Sequence, residues 1–247
     1  MRYKLICCEV LYREMCRAVS DSQNIVDVEF LPKGLHDLGQ IPMLERIQAA
    51  LDRVDESNYD AVLFGYALCN NGLVGLKASV IPIVLPRGHD CITLFLGSRE
   101  RYEEYFYANQ GTYFKTSGWM ERGTATGELT PLTVQRKSGM DMTYEQMVQK
   151  YGEENAKYLW ETLGDGLNNY SKITFIEMGI EPHTGFEQES REETVRRGWK
   201  FEKIRGDMRL ITSLVNGNWP ENDFLVVQPG QVITAAYDGS IMKAESC

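Results

Sequence analysis

Residues 59–66 read Tyr-Asp-Ala-Val-Leu-Phe-Gly-Tyr, a short apolar run that is typical of a strand buried on both faces. Three similar runs lie at Tyr3–Cys7, Ile25–Leu31 and Val80–Leu85. Helical periodicity follows the first two of these, at Glu9–Val19 and Pro42–Val54. Strands that alternate with helices pair in parallel through crossover connections. The chain therefore predicts an α/β fold with a mostly parallel, Rossmann-like sheet flanked by helices.

The periodicity breaks in the middle of the chain. Residues 107–140 are rich in Gly, Thr and Ser, and they form too long a stretch for a plain connection. We interpret this irregular insertion as a lid over a functional site or as a small hairpin. Beyond it the patterns predict helices over Tyr144–Leu163, Phe186–Gly198 and Met208–Leu214, and strands over Ile173–Met178, Lys200–Ile204, Phe224–Val227 and Val232–Ala236.

These patterns divide the chain into three parts of one compact unit. Residues 1–106 form an N-terminal α/β half that carries the Cys and His residues. Residues 107–170 hold the insertion and a helix, and residues 171–247 form a C-terminal α/β half.

The composition and net charge argue against several classes of protein. The chain has 247 residues, a net charge of −9 and 43% hydrophobic residues. The acidic balance argues against nucleic-acid binding, which needs a basic face. No run approaches the ~20 apolar residues of a membrane span, and the first residues lack the pattern of a signal peptide. We therefore predict a cytoplasmic protein that acts on a small-molecule substrate, with cysteines that serve as thiols or metal ligands.

The positions of three cysteines suggest the chemistry. Cys8 follows the first predicted strand, Cys69 the third and Cys91 the fourth, while His36 follows the second and His89 precedes Cys91. Ligands of parallel sheets bind at the carboxyl ends of the strands. Soft thiolates with imidazole suit zinc or an iron–sulfur cluster. We predict Cys8, Cys69 and Cys91 as metal ligands. His36 and His89 are candidates for a fourth ligand or for proton transfer, and Asp90 is a candidate catalytic group.

Each of these residues also has a structural interpretation. Buried cysteines are common in cores as small apolar side chains. We expect Cys7 to face the core, Cys16 to pack within the first helix, and Glu14 to lie on a solvated helix face. The segments Gly111-Thr112-Tyr113 and Gly118-Trp119 either close over the site, where Tyr113 and Trp119 would bind a cofactor, or serve only for packing.

Several motifs resemble an uncharacterised family of bacterial and archaeal proteins that are often encoded beside corrinoid-dependent methyltransferases. The resemblance is carried by Leu5-Ile6-Cys7-Cys8-Glu9-Val10-Leu11, Gly34-Leu35-His36, Gly65-Tyr66-Ala67-Leu68-Cys69, Pro86-Arg87-Gly88-His89-Asp90-Cys91, Gly111-Thr112-Tyr113, Gly118-Trp119 and residues 224–230. The family's motif cysteines and histidines fall on Cys8, Cys69, Cys91, His36 and His89. The chain departs from the family at Asp37, where the family has Asn.

The resemblance implies a type of reaction, the transfer of a methyl group. Corrinoid-linked methyl transfer commonly ends on a thiol, and zinc activates thiols by stabilising the thiolate. The pair His89 and Cys91 with a distant cysteine is also similar to the zinc motif of methylcobamide:thiol methyltransferases. Three hypotheses follow: a zinc enzyme of one-carbon metabolism, a [4Fe-4S] enzyme with one open iron, and an accessory protein for a corrinoid protein or methyltransferase partner.

Overall fold

The computed structural model describes residues 1–122, 127–133, 142–163, 169–182 and 185–247. Within these ranges the strands are β1 Arg2–Cys8, β2 Ile25–Leu31, β3 Ala61–Gly65, β4 Ile83–Pro86, β5 Thr112–Lys115, β6 Lys172–Glu177, β7 Lys200–Arg205, β8 Phe224–Val227, β9 Gln231–Ala235 and β10 Met242–Ser246.

The helices of the same ranges are α1 Tyr12–Asp21, α2 Gln40–Asp52, α3 Cys91–Leu96, α4 Arg99–Ala108, α5 Ser117–Arg122, α6 Tyr144–Tyr151, α7 Glu153–Leu163, α8 Phe186–Arg197 and α9 Arg209–Asn216. Short 3-10 turns lie at Glu9–Leu11, Lys33–Leu38, Glu56–Asn58 and Gly127–Leu132. None of the described helices is both long and apolar enough to cross a bilayer.

A five-stranded sheet in the order β2-β1-β3-β4-β8 forms the centre of the fold. The pairs β1–β2, β1–β3 and β3–β4 are parallel, and β8 closes one edge antiparallel to β4. Every residue of β3 and β4 is buried, as expected for strands that are covered on both faces. The predicted α/β fold with a mostly parallel sheet is confirmed.

Two smaller sheets lie beside the large one in the described part of the chain. β5, β6 and β7 form a parallel sheet in that order, and β9 pairs with β10 in an antiparallel hairpin. The hairpin is tied to the large sheet by Arg87, which lies directly after β4. Its guanidinium donates to the carbonyl oxygens of Phe224, Ser240 and Met242.

Local details depart from the predicted elements. The segment 107–140 contains β5 and α5, and β5 pairs with β6 in parallel instead of forming a hairpin. Residues 123–126 and 134–140 of this segment lie outside the described residues. The helix predicted over Tyr144–Leu163 is broken at Gly152, whose φ of 80° ends α6. Residues Cys91–Leu96 form a short helix that the sequence patterns did not predict. Asp90 caps its N-terminus by accepting a hydrogen bond from the Ile92 N–H.

Two expectations about the first helix are wrong. Glu14 is fully buried, and Cys16 is exposed. The buried face of α1 is formed by Glu14, Met15 and Ala18, which recur at helical spacing. Cys16 lies off this face, so it does not serve the core.

Candidate functional site

Three neighbouring strands end at one edge of the large sheet. β1, β3 and β4 run in the same direction, so their carboxyl ends lie side by side. Cys8 is the last residue of β1, Cys69 lies in the loop after β3, and Cys91 begins α3 after β4. The three thiols are close enough for the charge of one to affect the ionisation of another. The fold thus gathers the predicted ligand cysteines in one neighbourhood.

Main-chain hydrogen bonds hold two of these loops together. The Leu68 N–H donates to the Gly88 carbonyl and the Cys69 N–H to the His89 carbonyl, both at 2.9 Å. Cys69, Asn70 and Asn71 are then left-handed, with φ of 48°, 61° and 62°. Left-handed residues other than glycine each cost on the order of 1 kcal/mol and concentrate at ligand sites. The strained turn therefore marks this loop as a functional candidate.

A cleft of about 660 Å³ opens at this edge, and we call it the thiol cleft. Its lining includes His36, Cys69, Asn70, Asn71, His89, Asp90, Cys91, Trp119 and Tyr170. Cys8 is not among the lining residues, but its Sγ is 3.5 Å from Nε2 of the lining residue His36. His89 is exposed, whereas Cys69 and Cys91 are buried. The arrangement places buried thiols below a cleft that a small molecule can enter.

Burial keeps the three thiols protonated in the absence of a cation. It raises the pKa of Cys8 to about 12, and it raises the pKa values of Cys69 and Cys91 above that of an ordinary thiol. The physical cause in each case is the cost of placing a thiolate in an apolar surrounding. A bound cation would reverse this preference, because it stabilises the thiolate.

His36 is a neutral imidazole at physiological pH. Burial lowers its pKa to about 4, and the nearby positive charge of Lys33 acts in the same direction. His36 lies in the 3-10 turn Lys33–Leu38, close to the sheet edge. The main-chain N–H of Lys33 donates a hydrogen bond of 2.8 Å to the Glu9 carboxylate, which fixes the start of this turn. A neutral imidazole can bind a metal or accept the proton of the Cys8 thiol.

Lys33 is a member of the site that the sequence analysis missed. Its Nζ lies 4.0 Å from the centre of the Trp119 ring, and its charge partly opposes the rise that burial causes in the pKa of Cys8. Burial in turn lowers the pKa of Lys33. The same strand-end argument that selected His36 could have found this residue, since Lys33 also follows β2.

Two buried donors at the site have no hydrogen-bond partner within the described part of the chain. They are the Tyr66 hydroxyl and the Trp119 indole N–H. Tyr66 is 1% exposed, and the charges of Cys8 and Cys69 affect its ionisation. The Trp119 indole N–H lies near the Cys91 sulfur and acts to lower the pKa of that thiol, against the larger effect of burial. It does not reach hydrogen-bond geometry with the sulfur. A buried unsatisfied donor costs about 1–3 kcal/mol, so both donors would be stabilised by a negatively polarised acceptor nearby, such as a thiolate.

Asp90 has its carboxylate oxygens engaged. Oδ1 accepts from the Ile92 N–H at 2.9 Å and Oδ2 from the Tyr102 hydroxyl at 3.0 Å. Burial raises its pKa. The residue lines the thiol cleft, and its two hydrogen bonds hold the start of α3, and with it Cys91, in place.

The side chains of the predicted ligands are not arranged as a metal site in this conformation. Across the described residues, no three Cys, His, Asp or Glu side chains converge in a way that could hold a metal ion. The thiols and the neutral imidazole are ligand types that a soft metal prefers. The geometric requirement is not met, so a metal at Cys8, Cys69 and Cys91 requires their side chains to turn.

A second cleft adjoins the first and contains the other predicted residue, Tyr113. It has a volume of about 430 Å³, and we call it the aromatic cleft. It shares Asp90, Cys91, Trp119 and Tyr170 with the thiol cleft. Trp119 thus belongs to both clefts, and Tyr113 to the aromatic cleft only.

Gly118 sets the position of Trp119. A Cβ on Gly118 would lie 1.8 Å from the Val10 carbonyl oxygen, which is backbone and cannot turn away. We expect Gly118→Ala to displace α5 and to lower the free energy of unfolding by about 1–3 kcal/mol. Urea denaturation measures this loss.

The matched control is Gly239→Ala, whose Cβ would meet no atom within 4 Å. We expect a change below about 0.5 kcal/mol for the control. Equal stability of the two variants would mean that α5 does not approach Val10 as the structure describes.

Comparison with known proteins identifies a protein family. A family model described as "Protein of unknown function (DUF1638)" matches residues 30–215, about three quarters of the chain. His36, Cys69, His89, Cys91, Tyr113 and Trp119 fall inside the match, and Cys8 precedes it. No curated protein and no solved structure matches the chain.

Proposed function

We propose for this chain, which belongs to the DUF1638 family, the function of a metal-dependent enzyme whose ligands are Cys8, Cys69 and Cys91. One observation carries the proposal: three thiols from the ends of three adjacent strands share one neighbourhood beside a cleft. The metal is zinc or, as the alternative, the iron of a [4Fe-4S] cluster with one open position.

The electrostatics of the site support a bound cation. All three thiols are buried, and burial raises each pKa. A cysteine that served only as a metal-free nucleophile would gain from a lowered pKa. A soft cation supplies the missing stabilisation, and the Tyr66 and Trp119 donors would then face negatively polarised sulfur. The raised pKa values therefore argue against free thiolate chemistry, and a bound cation is the proposal that overcomes the cost of burying a thiolate.

The chain's own residues would serve the reaction in distinct ways. A bound zinc would activate a thiol or polarise a substrate. His36, neutral and 3.5 Å from the Cys8 sulfur, would accept a proton or become a fourth ligand. His89 is exposed at the cleft and would contact an incoming substrate. Following the family resemblance, we propose methyl transfer in corrinoid-linked one-carbon metabolism, with a corrinoid protein or methyltransferase as partner.

A second candidate function rests on the Cys8–His36 pair. The Cys8 Sγ and the His36 Nε2 are 3.5 Å apart, which is within reach for proton transfer without any metal. The pKa of Cys8, about 12, and that of His36, about 4, oppose this transfer, so the pair would need a bound substrate that stabilises the thiolate. In this alternative the chain is a cysteine-dependent transferase. It predicts that chelation leaves activity unchanged and that alkylation of Cys8 abolishes it.

The first experiment is metal analysis with an absorption spectrum, on protein purified without oxygen and without a tag. About one zinc per chain and no visible colour supports the zinc enzyme. About four irons per chain with a broad visible band supports the cluster enzyme. Absence of both metals overturns the proposal and leaves the thiol–imidazole pair, or an accessory role, in its place.

The Cys91→Ala variant tests the ligand assignment. We expect it to lose most of the bound metal, because a site with two thiol ligands binds far more weakly, while the circular dichroism spectrum stays that of the parent. The matched control is Cys16→Ala, since Cys16 is exposed on α1. Full metal content in Cys91→Ala would remove Cys91 from the site, and a loss in Cys16→Ala would show that the effect is not specific.

A further inference from the structure

The lining of the aromatic cleft consists largely of ring side chains. Tyr102, Phe106, Tyr113, Phe114, Trp119 and Tyr170 all contribute. The Tyr113 and Tyr170 rings meet at 84° with centroids 5.3 Å apart, so they form two walls of a corner. The volume of about 430 Å³ lies in the range of small-molecule sites. The cleft is therefore built to receive a small group between ring surfaces.

The charges around this cleft favour a positive ligand over a negative one. Among the described residues that line it, Asp90 is the one acidic side chain, and neither Lys nor Arg occurs. No described lining side chain would supply a counter-charge to a carboxylate or phosphate ligand. Beyond the lining, Lys33 lies beside Trp119, and the opposite charges of Glu193 and Arg197 both act on Tyr113. The faces of aromatic rings attract cations, and several rings around a quaternary ammonium form a known recognition device.

One ring already has a cation beside it. The Lys33 ammonium lies 4.0 Å from the centre of the Trp119 ring. This ammonium group would repel a second cation close to Trp119. The tyrosine corner formed by Tyr113 and Tyr170 is accordingly the part of the cleft that suits a ligand cation best.

We propose that the aromatic cleft binds the methylated ammonium head of a small substrate, with the rest of that substrate extending past Cys91 into the thiol cleft. The two clefts share Asp90, Cys91, Trp119 and Tyr170, so one molecule can occupy both. The extension towards the thiols rests on the proposed function. Binding of the ammonium head rests on the aromatic cleft alone.

The test is a calorimetric titration of the full chain with choline and with 3,3-dimethyl-1-butanol, a neutral molecule of nearly the same shape. We expect choline to bind at least about tenfold more tightly than the neutral molecule, because only the cation gains from the ring faces. Equal affinity of the two probes, or binding of neither, overturns the proposal.

Variants locate the binding. Tyr113→Leu and Tyr170→Leu remove one wall each and are expected to weaken choline binding by about tenfold, whereas Tyr113→Phe keeps the ring and the affinity. The control is Tyr237→Leu, because Tyr237 is fully exposed. The two Leu variants test the corner independently, should one fail to fold. Loss of binding in Tyr237→Leu as well, or in none of the variants, places the probe elsewhere and overturns the proposal.

Metal analysis of the same preparations separates this inference from the proposed function. Choline binding by metal-free protein overturns the metal enzyme and supports the ammonium site. A metal-containing protein that does not bind choline supports the metal enzyme and overturns the ammonium site.

Discussion

Replacing Arg87 by methionine is expected to lower the free energy of unfolding by about 3–5 kcal/mol, the largest effect that the structure predicts for a single side chain. The Arg87 guanidinium is buried and donates to four main-chain carbonyls, of Glu221, Phe224, Ser240 and Met242. The Phe224 and Met242 carbonyls belong to buried hydrogen bonds, and methionine would leave both without this donor. Urea denaturation measures the loss.

Arg17→Met is the matched control for this substitution. Arg17 lies on the exposed surface of α1, where it pairs with Asp21 at 2.8 Å. An exposed pair at this helical spacing contributes about 0.3–0.5 kcal/mol, so the control should stay near the parent. Similar midpoints for the two variants would show that Arg87 does not hold β8 and the β9–β10 hairpin together.

The second large effect concerns Glu14, and it depends on pH. Glu14 is fully buried, and neither carboxylate oxygen has a hydrogen-bond partner on another described residue. Burial raises its pKa from the ordinary 4.5 to about 7, the charges of Glu181 and Glu121 act in the same direction, and Arg13 opposes them. Between these two pH values the folded protein holds a proton that the unfolded chain has lost. Stability therefore falls as the pH rises from about 4.5 to about 7.

Glu14→Gln removes this ionisation. We expect the variant to unfold with a free energy similar to that of the parent at pH 5, and to be more stable at pH 8 by up to about 3 kcal/mol, since one pKa unit corresponds to about 1.4 kcal/mol. Urea denaturation at the two pH values measures the difference. The control is Glu45→Gln, because Glu45 is exposed on α2. A pH dependence that survives in Glu14→Gln would contradict the assignment.

Much of the fold follows from local sequence pattern. The predicted bounds of β2 and β8 agree with the structure to the residue, and those of the other predicted strands differ by a few residues at most. These segments carry unbroken or alternating apolar side chains, and an apolar run between turn residues has few alternatives to burial as a strand. The strand-end rule in turn predicts that Cys8, Cys69 and Cys91 lie at one edge, because strand direction alone decides where parallel strands end.

Other features of the fold could not be predicted, because no local sequence pattern indicates them. β5 has four residues, and its pairing with β6 depends on a partner about sixty positions further along the chain. Glu14 looks like a first-turn carboxylate of an exposed helix face, yet α1 turns this residue into the protein. Helical periodicity shows which residues share a face, but packing decides which of the neighbouring faces is covered.

The residues of the site likewise fall into those that the sequence identified and those that only the tertiary structure revealed. Sequence alone selected the cysteines, His36, His89 and Asp90, since each follows a recognisable strand. Tertiary structure added the charge of Lys33, the unsatisfied Tyr66 hydroxyl and the second cleft with its tyrosine corner. It also showed that the described ligand side chains, although they share one neighbourhood, form no group that could hold a metal ion. Local pattern governs which segments are buried and in which direction they run. Distances, burial and hydrogen-bond partners depend on how distant segments pack, and no local pattern contains them.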